Sequence, residues 1–219
     1  MPNIFLADEI NRTPPKTQAA LLEAMGEGHV TSGGHTYELE PPFIVLATQN
    51  PIELEGTYPL PEAQLDRFML NIVLDYLPIE DEIRMVRETT GVPEESLEAI
   101  LDSARILAYQ RLVRQVPVSD NVVSYAVRLV AATRPQTATA GKHVNELVKW
   151  GAGSRASQAL ILAGKARALL QGRFNVSCDD VAALAVPVLR HRVIVNFRAE
   201  AEGMTTEGLL KQLLEEVKR

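Results

Sequence analysis

The sequence predicts an α/β core, formed by a parallel sheet with a short hairpin insertion, followed by an all-α domain. Two short runs, at 4–7 and 43–47, contain only apolar residues, which is typical of strands buried on both faces of a parallel sheet. A helix-type segment lies between them, so the pattern is α/β. After residue 77 only the spacing of amphipathic helices remains. We therefore expect two domains, a partial core at 1–77 and a helical domain at 78–219.

Proline and glycine mark the boundaries of the core elements. Thr13 stands before two prolines, which predicts a helix start in which the threonine hydroxyl caps free amides. This helix is expected to reach Met25, where two nearby glycines end it. Adjacent glycines within 29–39 predict a hairpin with a tight turn. Two more elements are expected before the domain boundary, a brief helix at 62–68 and a third strand at 69–74.

The second domain is expected to be a series of amphipathic helices, because its apolar residues recur with helical spacing. Ser177 and Asp180 fit a capping box, in which a hydroxyl and a carboxylate satisfy the amides of the first turn. The expected helices cover 79–90, 96–113, 119–133, 155–171, 178–193 and 206–218, with one short helix around 144–150.

Composition argues against several functional classes. A net charge of -6 and a pI near 5.3 offer no broad attraction for nucleic acid or anionic lipid, so neither is expected as a partner. No apolar run approaches the roughly 18 residues of a membrane span, and the first residues carry no secretion signal, so a cytoplasmic location is expected. Cys178 and the four histidines show no metal-ligand spacing.

An acid pair follows the first apolar strand. Asp8 and Glu9 come directly after Ala7, at the carboxyl end of a strand, where ligands of open α/β sheets bind. In an ATP site, Asp8 would hold Mg²⁺ and Glu9 would orient and polarise the attacking water. Two adjacent acids after a strand also fit a turn or a helix cap, and the pair alone does not decide between these interpretations.

The second apolar strand also ends in polar residues. Thr48, Gln49 and Asn50 follow it directly, and a side-chain amide can hold a nucleophilic water or a γ-phosphate oxygen. Asn50 is therefore a second candidate residue of a nucleotide site. Its place after another buried-type strand strengthens the functional interpretation of the acid pair.

Two arginines complete the candidate set. Arg67 ends the short helix beside Asp66, which is expected to fix it. This arginine is either part of a local ion pair, which contributes less than about 1 kcal/mol, or an arginine finger for the site of the next subunit. Arg155 lies in the first turn of a helix, where the helix macrodipole disfavours a positive charge. Such a cation requires an anionic partner, and an ATP phosphate would provide one.

Three longer strings narrow the interpretation to one family. They are LADEINRTPPKTQ at 6–18, ATQNP at 47–51 and EGTYPLPEAQLDRF at 55–68. Each closely resembles the MoxR group of AAA+ ATPases, and the resemblance continues more weakly through the helical half. The fold that it implies is an incomplete AAA+ core followed by a helical lid domain.

The resemblance assigns a role to each candidate residue. It implies a Walker B motif at Asp8 and Glu9, a sensor 1 residue at Asn50, an arginine finger at Arg67 and a sensor 2 residue at Arg155. It also implies ATP and Mg²⁺ as cofactors and self-association into a ring, a hexamer in the complete protein. Members of the family hydrolyse ATP to remodel or mature protein complexes in a chaperone-like way, often with a partner that bears a von Willebrand A-type domain.

Two features depart from the family pattern. No G-x-x-x-x-G-K-[ST] string, the Walker A motif, occurs in the 219 residues, so the chain alone is expected to be inactive as an ATPase. The family places the strand before that loop between those at 43–47 and 69–74, so both are expected to expose unpaired backbone and bare apolar faces. In addition, the lid motif of the family usually reads Gly-Ala-Ser-Pro-Arg, whereas here Gly153 and Ser154 stand before Arg155. The helix entry is therefore expected to be looser, with Ser154 as its cap.

Two other functions stay open at this point. A non-hydrolysing interaction module, docked on a complete partner, would explain the missing loop, but a dead site has no physical need for the five candidate residues. A chelatase-type or nucleic-acid AAA+ motor subunit would share the same motifs. The acidic net charge and the MoxR-like strings favour the chaperone-like role over both motors.

Overall fold

The computed structural model describes residues 3–50, 56–91 and 98–219. The core part, 3–77, contains β1 (Ile4–Ala7), α1 (Pro15–Glu27), β2 (His29–Ser32), β3 (His35–Glu38), β4 (Ile44–Ala47) and α2 (Glu62–Leu65). The helical part, 78–219, contains α3 (Ile79–Thr89), α4 (Ser103–Gln115), α5 (Asp120–Ala132), α6 (Lys142–Leu147), β5 (Val148–Trp150), α7 (Ser154–Leu170), α8 (Cys178–Leu189), β6 (Ile194–Val195), α9 (Phe197–Ala201) and α10 (Thr206–Glu216). The predicted fold class is confirmed. Within the described ranges, no helix is long and apolar enough to cross a membrane.

Two parallel strands form the sheet of the core part. β1 and β4 run in register, with Ile4 opposite Ile44 and Ala7 opposite Ala47, which confirms both predicted strands. Their apolar, largely β-branched or leucine side chains suit a pleated sheet. Because the strands are parallel, their carboxyl ends lie side by side, and the polar residues that follow each strand meet at one edge of the sheet.

Proline, rather than threonine, begins α1. Pro15 occupies the first turn, where a missing N–H costs nothing, and Pro14 precedes the helix without a side-chain capping bond. The predicted capping by Thr13 is therefore wrong, since the fixed φ of proline already sets the helix start. At the other end Gly28 adopts a φ of 70° and ends the helix in a left-handed conformation. The β2–β3 hairpin follows as predicted.

The predicted third strand is not formed. Residues 69–74 have no strand partner in the described part of the chain, and β4 pairs there only with β1. A cavity of about 590 Å³ is lined by both β4 and 70–74. A strand needs a neighbour for its backbone N–H and C=O groups, so an apolar sequence alone does not make one.

Apolar side chains of the core part are exposed, as predicted for strands without neighbours. Leu6 of β1 and Leu46 of β4 are 60% and 55% exposed, and Ile72 and Leu74 are 71% and 90% exposed. Within the described residues, these apolar side chains therefore have little packing against other parts of the chain. The expected bare faces are thus confirmed at both places.

The helical part encloses a core of its own. α5, α7, α8 and α10 surround fully buried side chains, among them Tyr125, Leu129, Leu160, Val188 and Leu209. α7 comes close to its neighbours because several of its buried residues are small, and close approach improves packing between helices. These residues are Ala156, Ala159, Gly164 and Ala168.

α4 and α6 of the helical part begin or end elsewhere than predicted. α4 begins at Ser103 because the side chain of Asp102 accepts the Arg105 N–H at 2.7 Å, a strong N-cap. The start predicted at 96 falls outside the described residues. α6 ends at Leu147, and the chain continues as β5, which pairs antiparallel with β6. The sequence does not predict this short ribbon, because each of its strands is only two or three residues long.

The helix starts of α7 and α8 give one correction and one confirmation. α7 begins at Ser154 with Gly153 as its N-cap and no side-chain capping bond, so the predicted cap at Ser154 is wrong. α8 begins with the predicted capping box, in which Ser177 Oγ accepts the Asp180 N–H and the Asp180 carboxylate accepts the Ser177 N–H. It ends at Leu189, four residues before the predicted end at 193.

Candidate functional site

A threonine hydroxyl joins the two strand ends at the acid pair. Thr48, the first residue after β4, donates its hydroxyl to Asp8 Oδ1 at 2.6 Å and accepts the Glu9 N–H at 2.8 Å. The Thr48 N–H donates to Ala7 O and the Thr48 carbonyl accepts the Ile10 N–H, each at 3.0 Å. The acid pair therefore lies at the carboxyl end of the strand pair, the position at which α/β sheets bind ligands.

Glu9 has an unusual backbone conformation. Its φ of 47° and ψ of 51° are left-handed, and it precedes a single helical turn, Ile10–Arg12. For a residue with a Cβ this conformation costs about 1 kcal/mol, and such outliers cluster at functional sites. Arg12 Nε lies 3.0 Å from Glu9 Oε2, but both side chains are exposed, so this ion pair is weak.

Asn50 lies at the same edge, two residues beyond Thr48. Its carbonyl oxygen accepts a hydrogen bond from Asn11 Nδ2 at 3.2 Å. Since Asn11 belongs to the helical turn after Glu9, this bond ties the two strand ends together a second time. The structure thus brings Asp8, Glu9 and the Asn50 backbone to one edge of the sheet.

Two residues that the sequence analysis did not single out hold this edge in place. Thr48 is one of them. The other is Gln18 of α1, which is buried and donates from Nε2 to Ile10 O at 3.1 Å and to Tyr58 O at 2.9 Å. A buried glutamine in an apolar helix face is a sequence signal for such an anchor, because a buried amide must find partners.

Arg67 lies against the last turns of α1. Its Nη1 donates to Leu22 O at 2.7 Å. A Cβ at Gly26 would lie 2.5 Å from the same nitrogen, so a side chain at Gly26 would displace the guanidinium. The prediction that Asp66 fixes Arg67 is wrong, because the Asp66 carboxylate pairs with two other arginines. Arg67 is thus held by a neutral carbonyl of its own chain.

Arg155 has an anionic partner in the core part. Its Nη1 lies 3.6 Å from Asp66 Oδ2, and its side chain is 58% exposed. At this exposure and distance the pair contributes less than about 1 kcal/mol. The expected need of this cation for an anion is met here by a carboxylate, and the core and helical parts meet at this point.

Arg192 is the second arginine on Asp66, and sequence reasoning missed it. Its Nε donates to Asp66 Oδ1 at 2.7 Å. Beside it, His191 Nε2 donates to Phe68 O at 3.1 Å. Burial, together with the charge of Arg192, lowers the pKa of His191 to about 4, so this imidazole is neutral at pH 7. No local signal reveals these contacts, because more than a hundred residues separate the partners.

The site residues form two groups. Asp8, Glu9 and Asn50 lie at the sheet edge, whereas Arg67 contacts the carbonyl of Leu22 in α1 and Arg155 contacts the carboxylate of Asp66. No described contact joins the two groups.

The sheet edge that carries Asp8 and Glu9 is better suited to bind Mg²⁺ than to bind the phosphates of ATP. Mg²⁺ is commonly held by one or two carboxylates together with water and phosphate oxygens, and Asp8 provides a carboxylate that Thr48 already orients. In the described ranges, no three acidic, His or Cys side chains cluster as an all-protein cage would require. The groups that cradle phosphates are not among the 219 residues, since these contain no glycine-rich phosphate loop.

Comparison with protein families defines the class of the fold. The model of the ATPase family associated with various cellular activities (AAA) matches residues 1–70, and an AAA lid domain matches residues 140–213. A crystal structure of a Cytophaga hutchinsonii protein assigned as an ATPase superposes with a TM-score of 0.93 at 40% identity. The superposition covers 99% of this chain and 66% of that chain.

Three curated relatives narrow the class. The uncharacterized protein YeaC of Bacillus subtilis is 43% identical over all of this chain and 66% of its own length. Chaperone MoxR1 of Mycobacterium tuberculosis is 42% identical, covering 98% of this chain and 57% of its own length, and MoxR of Methylorubrum extorquens is 30% identical, covering 88% and 59%. The chain belongs to the MoxR-type AAA+ ATPases. It spans only 57 to 66% of the length of these relatives.

Proposed function

We propose that this chain supplies the water-activating and sensing part of a MoxR-type ATP hydrolase, which remodels protein complexes in a chaperone-like way. The observation that carries the proposal is the Thr48 hydroxyl, which holds Asp8 and the Glu9 backbone at the carboxyl ends of two parallel strands. We also propose that the domain boundary lies between residues 77 and 78. The self-contained core of the helical part supports that division.

Four candidate residues act on the chain's own nucleotide in this proposal. Glu9 accepts a hydrogen bond from the attacking water and polarises it. Asp8 would hold Mg²⁺ through water, and the ion would neutralise charge on the phosphates. Asn50 orients the water or a γ-phosphate oxygen through its amide. Arg155 exchanges its weak pair with Asp66 for a phosphate of the same nucleotide.

Arg67 completes the site of a neighbouring protomer in a ring, for which we expect six subunits. Arginines that stabilise the transferred phosphoryl group contribute about 10³ to 10⁵ in kcat. Arg67 now donates to Leu22 O, and the proposal requires it to exchange this neutral acceptor for a phosphate. A phosphate would add an opposite charge and a bidentate geometry, neither of which a backbone carbonyl offers to the guanidinium.

The catalytic part of the proposal is tested in a fusion protein. The residues of YeaC that precede its match to this chain are joined ahead of residue 1, and this YeaC fusion is expected to supply the phosphate-binding loop. We expect the fusion to hydrolyse ATP and the 219-residue chain alone to show no turnover above background. Glu9→Gln in the fusion should lower kcat by about 100-fold or more, because an amide cannot polarise the water.

Glu40→Gln is the matched control, since Glu40 is an exposed acid that follows the hairpin outside the site. Its kcat should equal that of the unsubstituted fusion. An unchanged kcat for Glu9→Gln, or ATP turnover by the 219-residue chain alone, would contradict the proposal.

The chaperone-like part is tested separately, by light scattering from a heat-unfolded protein. The YeaC fusion should reduce aggregation in an ATP-dependent manner, and its Glu9→Gln variant should not. Equal protection by both would indicate passive binding. That result would favour a non-hydrolysing interaction module over ATP-driven remodelling.

A further inference from the structure

The turn that carries Arg67 is anchored by one buried arginine of the helical part. Arg192 lies just beyond α8, and its side chain is 3% exposed. All five N–H groups of its guanidinium have acceptors. These are Asp66 Oδ1 at 2.7 Å, Asp66 O at 2.9 Å, Phe68 O at 2.6 Å, Met69 O at 3.2 Å and Val188 O. All but the last lie within two residues of Arg67.

We propose that Arg192 is a positioning residue for Arg67. By binding the backbone immediately before and after Arg67, it sets where that guanidinium lies relative to the nucleotide of the next protomer. Arg192 acts only through this turn and touches neither nucleotide nor reacting atoms. The inference rests on the proposed role of Arg67 as an arginine finger.

The chemistry of the contact explains why an arginine is needed. A buried cation requires acceptors and an opposite charge, because an unpaired buried charge is strongly unfavourable. Asp66 provides that charge. The planar fork of the guanidinium binds several carbonyls in fixed directions, so it sets the orientation of the turn as well as its distance. Lysine has three donors on one nitrogen and cannot satisfy all of these acceptors.

Asp66 also links this anchor to Arg155. Its Oδ2 lies 3.6 Å from Arg155 Nη1, while Oδ1 accepts from Arg192. The Asp66 carboxylate thus lies between Arg155, which we propose binds the chain's own nucleotide, and the turn of Arg67, which we propose reaches the nucleotide of the neighbouring protomer. His191 binds the same turn at Phe68 O. We therefore expect Arg67 to move together with the helical part.

The test begins with mixed rings of YeaC fusion subunits. Rings of Arg67→Ala subunits and rings of Glu9→Gln subunits should each be inactive. Their mixture should regain turnover, because a subunit with an intact Glu9 then receives Arg67 from its neighbour. Failure of this mixture to recover would overturn the shared site, and the inference with it.

Arg192→Lys then tests the inference itself. Alone, this variant should lower kcat by about 10- to 100-fold, the scale of a 1 Å misplacement of a catalytic group, and should leave the KM for ATP within about threefold because uniform binding is kept. Mixed with Glu9→Gln subunits, whose Arg67 is correctly placed, it should recover as the Arg67→Ala mixture does. Recovery of the Arg67→Ala mixture without recovery of the Arg192→Lys mixture would overturn the inference, as would an undiminished kcat in Arg192→Lys rings.

One further variant serves as a matched control, and another replaces Arg192→Lys if that variant does not fold. Arg190→Lys is the matched control, since Arg190 pairs with Glu207 inside the helical part at 2.8 Å, and its turnover should match that of the unsubstituted fusion. If Arg192→Lys fails to fold by circular dichroism, Asp66→Asn replaces it in the same mixtures. Asp66→Asn removes the opposite charge but keeps an oxygen acceptor. An undiminished kcat in Asp66→Asn rings, or no recovery of its mixture with Glu9→Gln subunits, would overturn the inference.

Discussion

The core part and the helical part bury their apolar residues in different ways. The helical part closes on itself, and its central leucines, such as Leu160, have no exposed surface. The core part leaves Leu6 of β1 and Leu46 of β4, which lie opposite each other, largely exposed. The residues proposed for chemistry lie on this open sheet, whereas their anchor, Arg192, lies on the closed part. We infer that the stability of the chain resides mainly in the helical part, and four predictions can break or sharpen that comparison.

The largest loss of stability is expected at Asp180, which is fully buried in the helical part. Arg167 Nη1 donates to its Oδ1 at 2.7 Å and Arg173 Nη1 to its Oδ2 at 2.8 Å. The bonds from Arg173, Ser177 and Arg167 hold the pKa of Asp180 well below its usual range. Asp180→Asn leaves these cations without an opposite charge and should lower the free energy of unfolding by about 3 to 5 kcal/mol in urea denaturation.

Asp179→Asn is the control for this loss, because Asp179 is 74% exposed and pairs only at the surface, with Arg219. It should cost less than about 1 kcal/mol. The depressed pKa of Asp180 also gives a sign for pH. Its stabilisation is present at neutral pH and is lost as the pH falls below the ordinary value of 3.8. Equal losses for the two asparagine variants would contradict the buried-pair interpretation.

The second prediction compares two leucines directly. Leu160→Ala removes buried methyl groups in the helical part and should lower the free energy of unfolding by about 2 to 5 kcal/mol. Leu46→Ala removes side-chain atoms that are already largely exposed and should cost less than about 1 kcal/mol. Urea denaturation of the 219-residue chain measures both. Similar losses would mean that the core part contributes as much to folding as the helical part.

The third prediction concerns His191, where the two parts meet. Burial lowers its pKa from 6.5 to about 4, so the unfolded chain binds a proton more readily than the folded chain. The contribution of His191 to the free energy of unfolding is complete above pH 6.5 and is lost progressively as the pH falls to about 4. It amounts to roughly 2 kcal/mol after allowance for its partial exposure.

His191→Gln keeps a donor for Phe68 O but removes the titration. Unfolding free energies measured between pH 4 and 7 should therefore depend less on pH in this variant. An unchanged pH dependence would show that His191 does not titrate between the folded and unfolded states as described.

The smallest effects are expected at two helix starts, one in each part. Ser177→Ala removes the capping box of α8 and should cost about 1 kcal/mol. Thr13→Ala removes a hydroxyl that caps nothing in α1 and should cost less than about 0.5 kcal/mol. Thermal unfolding measured by circular dichroism compares them. A larger loss at Thr13 would restore the capping role that the sequence suggested.

The sequence predicts those features of the core part that local pattern determines. The runs at 4–7 and 43–47 form the expected strands, and the parallel arrangement brings Asp8, Glu9 and Asn50 to one edge. The run at 69–74 is apolar except for Asn71 but forms no strand in the described chain. Strand formation depends on a neighbouring backbone as well as on composition, and a linear pattern does not reveal the neighbour.

The partners of the arginines lie beyond what the sequence alone can predict. Adjacency suggested that Asp66 holds Arg67, but a carboxylate pairs with the cations that are close in space, and these come from the helical part. Arg192 belongs to no sequence pattern with chemical meaning, and the ATQNP string that contains Thr48 does not reveal the contacts of its hydroxyl. Their contacts depend on how distant segments pack, which no local propensity encodes.

At Glu9, the left-handed backbone places the proposed catalytic activity and the stability of the fold in conflict. Glycine adopts this conformation without the strain that a Cβ creates, so Glu9→Gly would relax the chain while it deletes the carboxylate that we propose polarises water. A laboratory selection that scores only heat resistance would therefore enrich glycine here and yield sturdier molecules without catalysis.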